Sequence, residues 1–102
     1  MDYSIIESKN AGIDIENITK YMIEDLSNMS AAKRFLERIV KSYHNLKRNP
    51  YMYSLCSEYE FREKYYRKIV IGRYLLFYRV EEKYKVIIVR TIYGGRDFLK
   101  FL

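Results

Sequence analysis

The stretch YYRKIVIGRYLLFYRV, residues 65–80, consists of two β-type runs separated by Gly72. Both runs are rich in β-branched and aromatic residues, which favour strands, and a glycine followed by Arg73 fits a tight turn. The sequence therefore predicts an antiparallel hairpin here. Four basic side chains interrupt the apolar pattern of this hairpin: Arg67, Lys68, Arg73 and Arg79. A buried hairpin does not require these charges, so they are candidates for contacting a ligand.

The first half of the chain predicts a short strand and two helices. YSIIE at 3–7 is a β-type run. Apolar residues then recur every three or four positions over 15–29 and again over 32–46, which is typical of amphipathic helices. The predicted helix boundaries are Asp14 and Ser30 as N-caps and Pro50 as the stop of the second helix. Because the joint between the helices is short, they should form an antiparallel hairpin.

The second half predicts a connection followed by three strands. Residues 51–61 have no clear period and read as a long connection with room for a short turn of helix. Strands are predicted at 62–71, 74–81 and 85–93, with tight turns at Gly72-Arg73 and at 82–84. The whole chain, residues 1–102, is thus predicted to be one α+β domain of order β-α-α-β-β-β. Its helical hairpin would pack on an antiparallel sheet.

Both faces of the predicted sheet are apolar. Alternate residues of a strand point to opposite faces, so Leu76 and Tyr78 share one face while Leu75 and Phe77 share the other. A single helical hairpin covers only one face of a sheet. We therefore expect the second face to be covered by the C-terminus of the chain or by another protein.

Net charge and aromatic content are concentrated in the second half. The chain carries a net charge of +6. Residues 1–50 hold 8 Lys/Arg and 7 Asp/Glu, whereas residues 51–102 hold 11 and 6, together with 9 of the 12 tyrosines. Basic charge with interleaved aromatics suits a polyanion with bases that can be stacked. The alternative is a basic domain whose tyrosines belong to the core.

The sequence lacks the residues that several classes of function require. His44 and Cys56 are the single histidine and the single cysteine, so the sequence predicts no zinc site, no disulfide and no Cys/His nucleophile pair. Gly94-Gly95 is too short for a phosphate-binding loop, and we expect no cofactor. No apolar run approaches a membrane span and the N-terminus does not resemble a secretory signal, which predicts a cytoplasmic protein.

Arginine, lysine and tyrosine remain as the candidates for chemistry. Arginine matches phosphate oxygens and stabilises the charge of a phosphorane, while lysine and tyrosine can transfer protons if their pKa values are tuned. A metal-free ribonuclease needs only a base, a cation and an acid. The structural alternative is that Arg67, Arg79 and Arg90 line the sheet edge or pair with nearby glutamates.

Two segments together resemble one known superfamily. YRKIVIGRYLLFYRVEE at 66–82 and VRTIYGGRDFLKFL at 89–102 are similar to the corresponding segments of RelE/ParE toxins from type II toxin–antitoxin systems. The resemblance covers nearly the whole chain and implies the same β-α-α-β-β-β fold. RelE-like members cleave mRNA in the ribosomal A site, whereas ParE-like members inhibit DNA gyrase. In both groups an antitoxin wraps the toxin through its C-terminal segment.

The resemblance also implies roles for individual residues. Lys68 falls where RelE-like ribonucleases place a catalytic lysine, and Arg96 falls where they place a phosphate-stabilising arginine. Tyr93 sits where several relatives have a histidine, as a proton donor or a stacking platform.

Two positions depart from the ribonuclease pattern. Leu75 replaces an arginine and Val70 replaces a second basic residue, and Arg73 is the nearest substitute. The sequence thus predicts a ribosome-dependent ribonuclease with Lys68, Arg73, Tyr93 and Arg96 as catalytic residues. The predicted RNA contacts are Arg62, Lys64, Arg67 and Arg90. The alternatives are a gyrase inhibitor and a non-catalytic nucleic-acid-binding module, and the expected partners are an antitoxin with either ribosome and mRNA or gyrase.

Overall fold

The computed structural model describes residues 2–95, so the predicted catalytic residue Arg96 lies outside the described residues. The predicted order of elements is confirmed, with one short helix added before the second strand. The elements are β1 (Ser4–Glu7), α1 (Lys9–Lys20) continued by a π-helical turn (Tyr21–Asp25), α2 (Met29–Arg48), α3 (Tyr59–Glu63), β2 (Arg67–Ile71), β3 (Tyr74–Glu81) and β4 (Lys85–Tyr93).

The four strands form one sheet in the order β1-β4-β3-β2. Strands β2, β3 and β4 are antiparallel to their neighbours, as predicted from their short connections. β1 joins the other side of β4 in parallel, with Ser4 paired to Lys85 and Glu7 paired to Ile88. β4 continues beyond that last pair, so within residues 2–95 no strand pairs with its outer edge from Val89 onward.

Both predicted tight turns are present. Gly72 has a φ of +61°, in the left-handed region that side-chain-bearing residues rarely adopt, which explains the glycine between β2 and β3. The turn between β3 and β4 places Lys83 and Tyr84 at φ values of 62° and 58°. These turns fix the register of the three-stranded part of the sheet.

The predicted N-cap of the first helix is wrong. α1 begins at Lys9, well before Asp14, and Ser8 is its cap. The Ser8 hydroxyl accepts a hydrogen bond from the Ala11 amide at 3.0 Å and donates one to the Val89 carbonyl at 2.9 Å. The cap therefore also ties the start of α1 to the point where β1 leaves β4.

The residue predicted for that role, Asp14, lies inside α1 and binds the sheet instead. Its Oδ2 accepts hydrogen bonds from Arg90 Nε at 2.6 Å and from the Thr91 amide at 3.0 Å, and its Oδ1 accepts one from Arg90 Nη2 at 2.8 Å. The Asp14 and Arg90 side chains are 11% and 21% exposed. A charged pair this far from solvent, joined to an open strand edge, fixes α1 against β4.

The predicted N-cap of the second helix is wrong as well. α2 begins at Met29, and the side chain of Asn28 accepts a hydrogen bond from the Ala31 amide at 3.0 Å. Ser30, the predicted cap, lies within the first turn. An asparagine side chain can accept a hydrogen bond from an unpaired amide at a helix start as well as a serine can. The helix therefore begins earlier than predicted.

The core between the helices and the sheet forms as predicted. α2 ends at Arg48, shortly before the predicted stop at Pro50, and the Tyr78 hydroxyl donates a buried hydrogen bond of 2.6 Å to the Pro50 carbonyl. Burial raises the pKa of Tyr78, so this hydroxyl stays a donor at neutral pH. The buried side chains of this layer include Phe35, Ile39 and Leu46 from α2 and Ile69, Leu76, Tyr78, Val86 and Ile88 from the sheet.

The second face of the sheet is covered by the connection before β2. Cys56, Phe61 and Tyr66 pack against Phe77 and Ile92 in a second buried cluster. The sequence predicted the C-terminus or another protein in this place, and the connection is a further cover that it did not predict. The C-terminus after Gly95 lies outside the described residues, so that expectation stays a prediction.

The strand predicted at 62–71 is shorter than expected, because its first residues belong to the connection that covers the second face of the sheet. Its first residues complete α3 and a turn in which Tyr65 has a φ of 60°, and β2 starts only at Arg67. The chain uses these residues to bring Phe61 and Tyr66 back over the sheet. Val70 in β2 stays outside this cover and is exposed.

We expect the Asp14 contact to dominate the attachment of α1. Replacing Asp14 with alanine should lower the free energy of unfolding by about 3 kcal/mol, because it removes the carboxylate to which the Arg90 guanidinium and the Thr91 amide both donate. Glu81→Ala is the matched control, because it removes a carboxylate from the exposed pair with Arg79 and should cost less than about 1 kcal/mol. Urea unfolding of both variants measures the difference, and equal costs would contradict this assignment.

Candidate functional site

A cleft of about 1040 Å³ lies between the helical hairpin and the end of the sheet where β2 turns into β3. The end of α1, the first half of α2, the β2–β3 turn and the last residues of β4 form its walls. Two kinds of side chain distinguish the lining: the arginines Arg34, Arg38 and Arg73, and the tyrosines Tyr21, Tyr74 and Tyr93. The combination of cations with aromatic rings makes this cleft the candidate site.

Two separate elements supply the arginines. Arg34 and Arg38 are one helical turn apart on α2, so their side chains leave the same side of the helix. Arg38 Nη1 lies 3.5 Å from the position that a Cβ atom would take on Gly72. The guanidinium of Arg38 therefore reaches the β2–β3 turn, where Arg73 follows directly.

The tyrosines form an aromatic wall beside these charges. The rings of Tyr74 and Tyr93 meet edge to face with centroids 5.9 Å apart, and Tyr74 also contacts Phe35 of α2 at 5.4 Å. Burial, and then the nearby hydroxyls of Tyr21 and Tyr93, raise the pKa of Tyr74. Tyr21 and Tyr93 are 47% and 41% exposed, so a ligand in the cleft can reach their rings.

The charge of the cleft is positive. Asp14 is the one carboxylate among the lining residues that the structure describes, and Arg90 and the Thr91 amide already occupy it. Within residues 2–95, the side chains of Arg34, Arg38 and Arg73 form no ion pair. Walls of low dielectric constant concentrate such a positive field and attract anions.

The structure brings together two of the predicted catalytic residues and separates a third. Arg73 and Tyr93 both line the cleft on the helix side of the sheet. Lys68 pairs in register with Phe77, whose side chain belongs to the buried cluster on the opposite face. Lys68 and Tyr93 therefore lie on opposite faces of the sheet.

Lys68 has a carboxylate partner on its own face. Its Nζ lies 3.3 Å from Glu58 Oε1, at the start of α3. Partial burial works against ionisation of Glu58, but hydrogen bonds from the backbone and from Lys68 outweigh it and lower the pKa of this carboxyl. Lys68 therefore has an anionic partner on its own face of the sheet.

The four predicted RNA contacts do not form one surface. Arg67 donates a hydrogen bond of 2.5 Å to the Tyr53 carbonyl and lies over the Tyr51 ring at 5.1 Å. Arg90 is bound to Asp14. Arg62 and Lys64 are exposed at the end of α3, on the side of the molecule that carries the second-face cover.

The single cysteine and the single histidine lie in different environments, since the cysteine is buried and the histidine is exposed on a helix. Burial, and then the Glu58 carboxylate, raise the pKa of Cys56 to about 11, so its sulfur is a neutral thiol at physiological pH. His44 is exposed on α2. Among the described residues, no group of three or more His, Cys, Asp or Glu side chains could hold a metal ion.

Sequence reasoning missed Arg34 and Arg38. In the sequence they look like ordinary solvated charges of an amphipathic helix. Their proximity to the β2–β3 turn is a tertiary contact, which the periodicity of the helix does not indicate. One signal was present: no acidic residue stands three or four positions from Arg38, where it could pair with it along the helix.

Comparisons with known proteins agree with this fold. A family model described as the ParE toxin of the type II toxin–antitoxin system parDE matches residues 5–98. A structure of the chromosomal ParDE system from P. aeruginosa is similar with a TM-score of 0.68 and 16% identity, covering 89% of this chain and 95% of that one. No curated protein sequence matches the chain.

A second solved structure is similar to about the same degree. The toxin–antitoxin complex RelBE2 from Mycobacterium tuberculosis has a TM-score of 0.65 and 19% identity, covering 91% of this chain and 99% of that one. At such identities the likeness to both structures shows the fold alone. In the part of the chain that the structure describes, no helix has the length and apolar character to span a membrane.

The Glu58–Lys68 pair should give a pH-dependent contribution to stability. Because the pKa of Glu58 is lowered on folding, this contribution is present above the unfolded pKa of about 4.3 and is lost as the pH falls through the folded value. At pH 7 we expect Glu58→Gln to be less stable than the wild type by up to about 1 kcal/mol. At pH 3 the two should unfold at equal urea concentrations, and a difference that persists there would contradict the pairing.

Proposed function

Since the chain belongs to the ParE toxin family of type II toxin–antitoxin systems, we propose that it arrests growth by binding DNA gyrase and not by cleaving mRNA. The family match favours this target, because the resemblance noted in the sequence assigns gyrase to ParE-like members. The fold does not discriminate between the two targets, since both a ParDE and a RelBE2 structure are similar to it.

The separation of Lys68 from Tyr93 carries the proposal. Metal-free cleavage requires a base, an acid and a cation around one phosphate, each within hydrogen-bond reach of the atom on which it acts. Lys68 and Tyr93 stand on opposite faces of the sheet, and Lys68 is paired with Glu58. This separation counts against a shared role of the two residues on one phosphodiester, and it therefore supports a target other than mRNA.

The surface beside Lys68 supports the same conclusion. Val70 and Leu75 share its face and replace basic residues of the ribonuclease pattern. An exposed valine and a half-buried leucine offer contact area but no charge to a phosphate. Such a face is better suited to binding a protein than to hydrolysing RNA.

We expect the chain to inhibit gyrase directly. Purified protein added to gyrase, ATP and relaxed plasmid should suppress supercoiling, and primer extension on translated messages from induced cells should show no in-frame cuts. Lys68→Ala should keep its inhibition within about threefold of the wild type, since loss of a true general base costs roughly 100-fold or more. In-frame cuts that Lys68→Ala abolishes, with gyrase unaffected, would establish the ribonuclease instead.

A cognate antitoxin is the second part of the proposal. The family description and the titles of both similar structures name toxin–antitoxin systems or complexes. The sheet's second face is already partly covered, so we look for the antitoxin contact on the helices. Met29, Leu36 and Val40 are exposed and, at spacings of seven and four, lie on one side of α2.

This stripe of α2 should be needed for neutralisation and not for toxicity. Val40→Lys should remain toxic but should no longer be rescued by co-expression of the cognate antitoxin, because it places a charge in an apolar contact. Asn45→Lys, which adds the same charge on a different side of the same helix, is the control and should still be rescued. Full rescue of Val40→Lys in growth assays would exclude this stripe as the antitoxin site.

A further inference from the structure

The cleft holds more positive charge than residues 2–95 neutralise. Arg34, Arg38 and Arg73 line it, and Asp14, the one carboxylate among its described lining residues, is engaged by Arg90 and by the Thr91 amide. Like charges gathered in a cleft repel one another and lower the stability of the fold. A bound anion would remove this cost, which makes the cluster a candidate anion site.

The arginines are arranged to surround a ligand and not to lie along a flat surface. Arg34 and Arg38 approach from the helix wall, and Arg38 Nη1 reaches to within 3.5 Å of the Cβ position of Gly72. Arg73 stands beside that glycine on the sheet wall. Guanidinium groups present planar pairs of donors that match phosphate oxygens, and donors from two walls can grip one phosphate group or two adjacent ones.

Aromatic rings occupy the neighbouring wall. Tyr21 and Tyr93 are about half exposed, and Tyr93 is supported from behind by the edge-to-face contact with Tyr74. A ring held in this way is a stacking surface for a planar base. The cleft, at about 1040 Å³, is as large as the bigger small-molecule sites of proteins and has room for a base, a sugar and phosphates.

We propose that this cleft binds a nucleotide, with Arg34, Arg38 and Arg73 holding its phosphates and Tyr21 or Tyr93 stacking on its base. The ligand chemistry is the same for a free nucleoside polyphosphate and for a nucleotide within a single strand. The site lies on the helix side of the sheet, away from Lys68, and its test does not depend on whether gyrase is the target of the toxin.

An acidic protein segment is the competing ligand class. It would satisfy the arginines equally well, but it would leave the exposed tyrosine rings without a planar partner. The combination of guanidinium groups and accessible rings therefore favours a nucleotide over a run of carboxylates.

Isothermal titration calorimetry with the full chain tests the site. The probes are ATP, adenosine, tripolyphosphate, a dT10 oligonucleotide and a ten-residue poly-glutamate peptide. We expect ATP or dT10 to bind at least tenfold more tightly than adenosine, tripolyphosphate and poly-glutamate. Tighter binding of ATP assigns the site to free nucleotides, and tighter binding of dT10 assigns it to a single strand.

Matched variants separate the site from general electrostatics. Arg34→Gln/Arg38→Gln should weaken binding of the preferred probe at least tenfold. Lys47→Gln/Arg48→Gln removes the same charge from the far end of the same helix and should change it less than threefold. Tyr21→Ala should reduce the preference for ATP over tripolyphosphate if that ring stacks on the base, and Tyr93→Ala should do so if the other ring does.

Three results would overturn the proposal. One is that neither ATP nor dT10 binds. Another is that poly-glutamate or tripolyphosphate binds as tightly as the preferred nucleotide probe, which would leave a site for acidic groups in general. The third is that both arginine and control double variants weaken binding equally while each keeps the melting temperature of the wild type.

Discussion

The outer edge of β4 is the constraint on which the rest of this structure depends. β1 pairs with β4 only as far as Ile88, and the strand then continues to Tyr93. The amides of this edge need acceptors, and Asp14 supplies one while its carboxylate also holds Arg90. Since Ser8 binds the Val89 carbonyl just before it, the start of α1 is fixed to this edge at two successive points.

The same contact sets the charge of the cleft. Asp14 helps to fix α1 on β4, in the position from which the end of the helix and Tyr21 line the cleft. Asp14 is also the one carboxylate among the described lining residues, and it is paired with Arg90. The same interaction thus contributes to the position of one wall and engages the carboxylate that the cleft contains.

The sequence predicted the order of elements because each is specified locally. Periodicity marked both helices, and β-branched runs with Gly72 marked the β2–β3 hairpin. What it missed depends on contacts between distant residues. Asp14 has the chemistry of an N-cap, and its role is decided by Arg90, 76 positions away. The connection at 51–61 shows no period because its buried residues, Cys56 and Phe61, cover a sheet face from a loop and from a helix of five residues, which is too short to show one.

The basic residues of the β2–β3 hairpin have separate roles. Arg67 binds the Tyr53 carbonyl, Lys68 binds Glu58, and Arg79 binds Glu81. These three basic residues have partners within the chain. For Arg79 the partner is a nearby glutamate, Glu81, as in the structural alternative considered from the sequence. Arg73 differs, because it leaves the turn on the helix side and meets no acid within residues 2–95.

The predicted catalytic residues of the sheet are divided between its two faces. The family pattern suggests one group of cations, but strand alternation and the register of β2, β3 and β4 divide that group between two faces. On one face, Lys68 forms an ion pair with Glu58. It lies there beside the apolar residues Val70 and Leu75. On the other, within residues 2–95, the three arginines of the cleft form no ion pair. An arrangement of that kind can hold a partner on each face of the sheet.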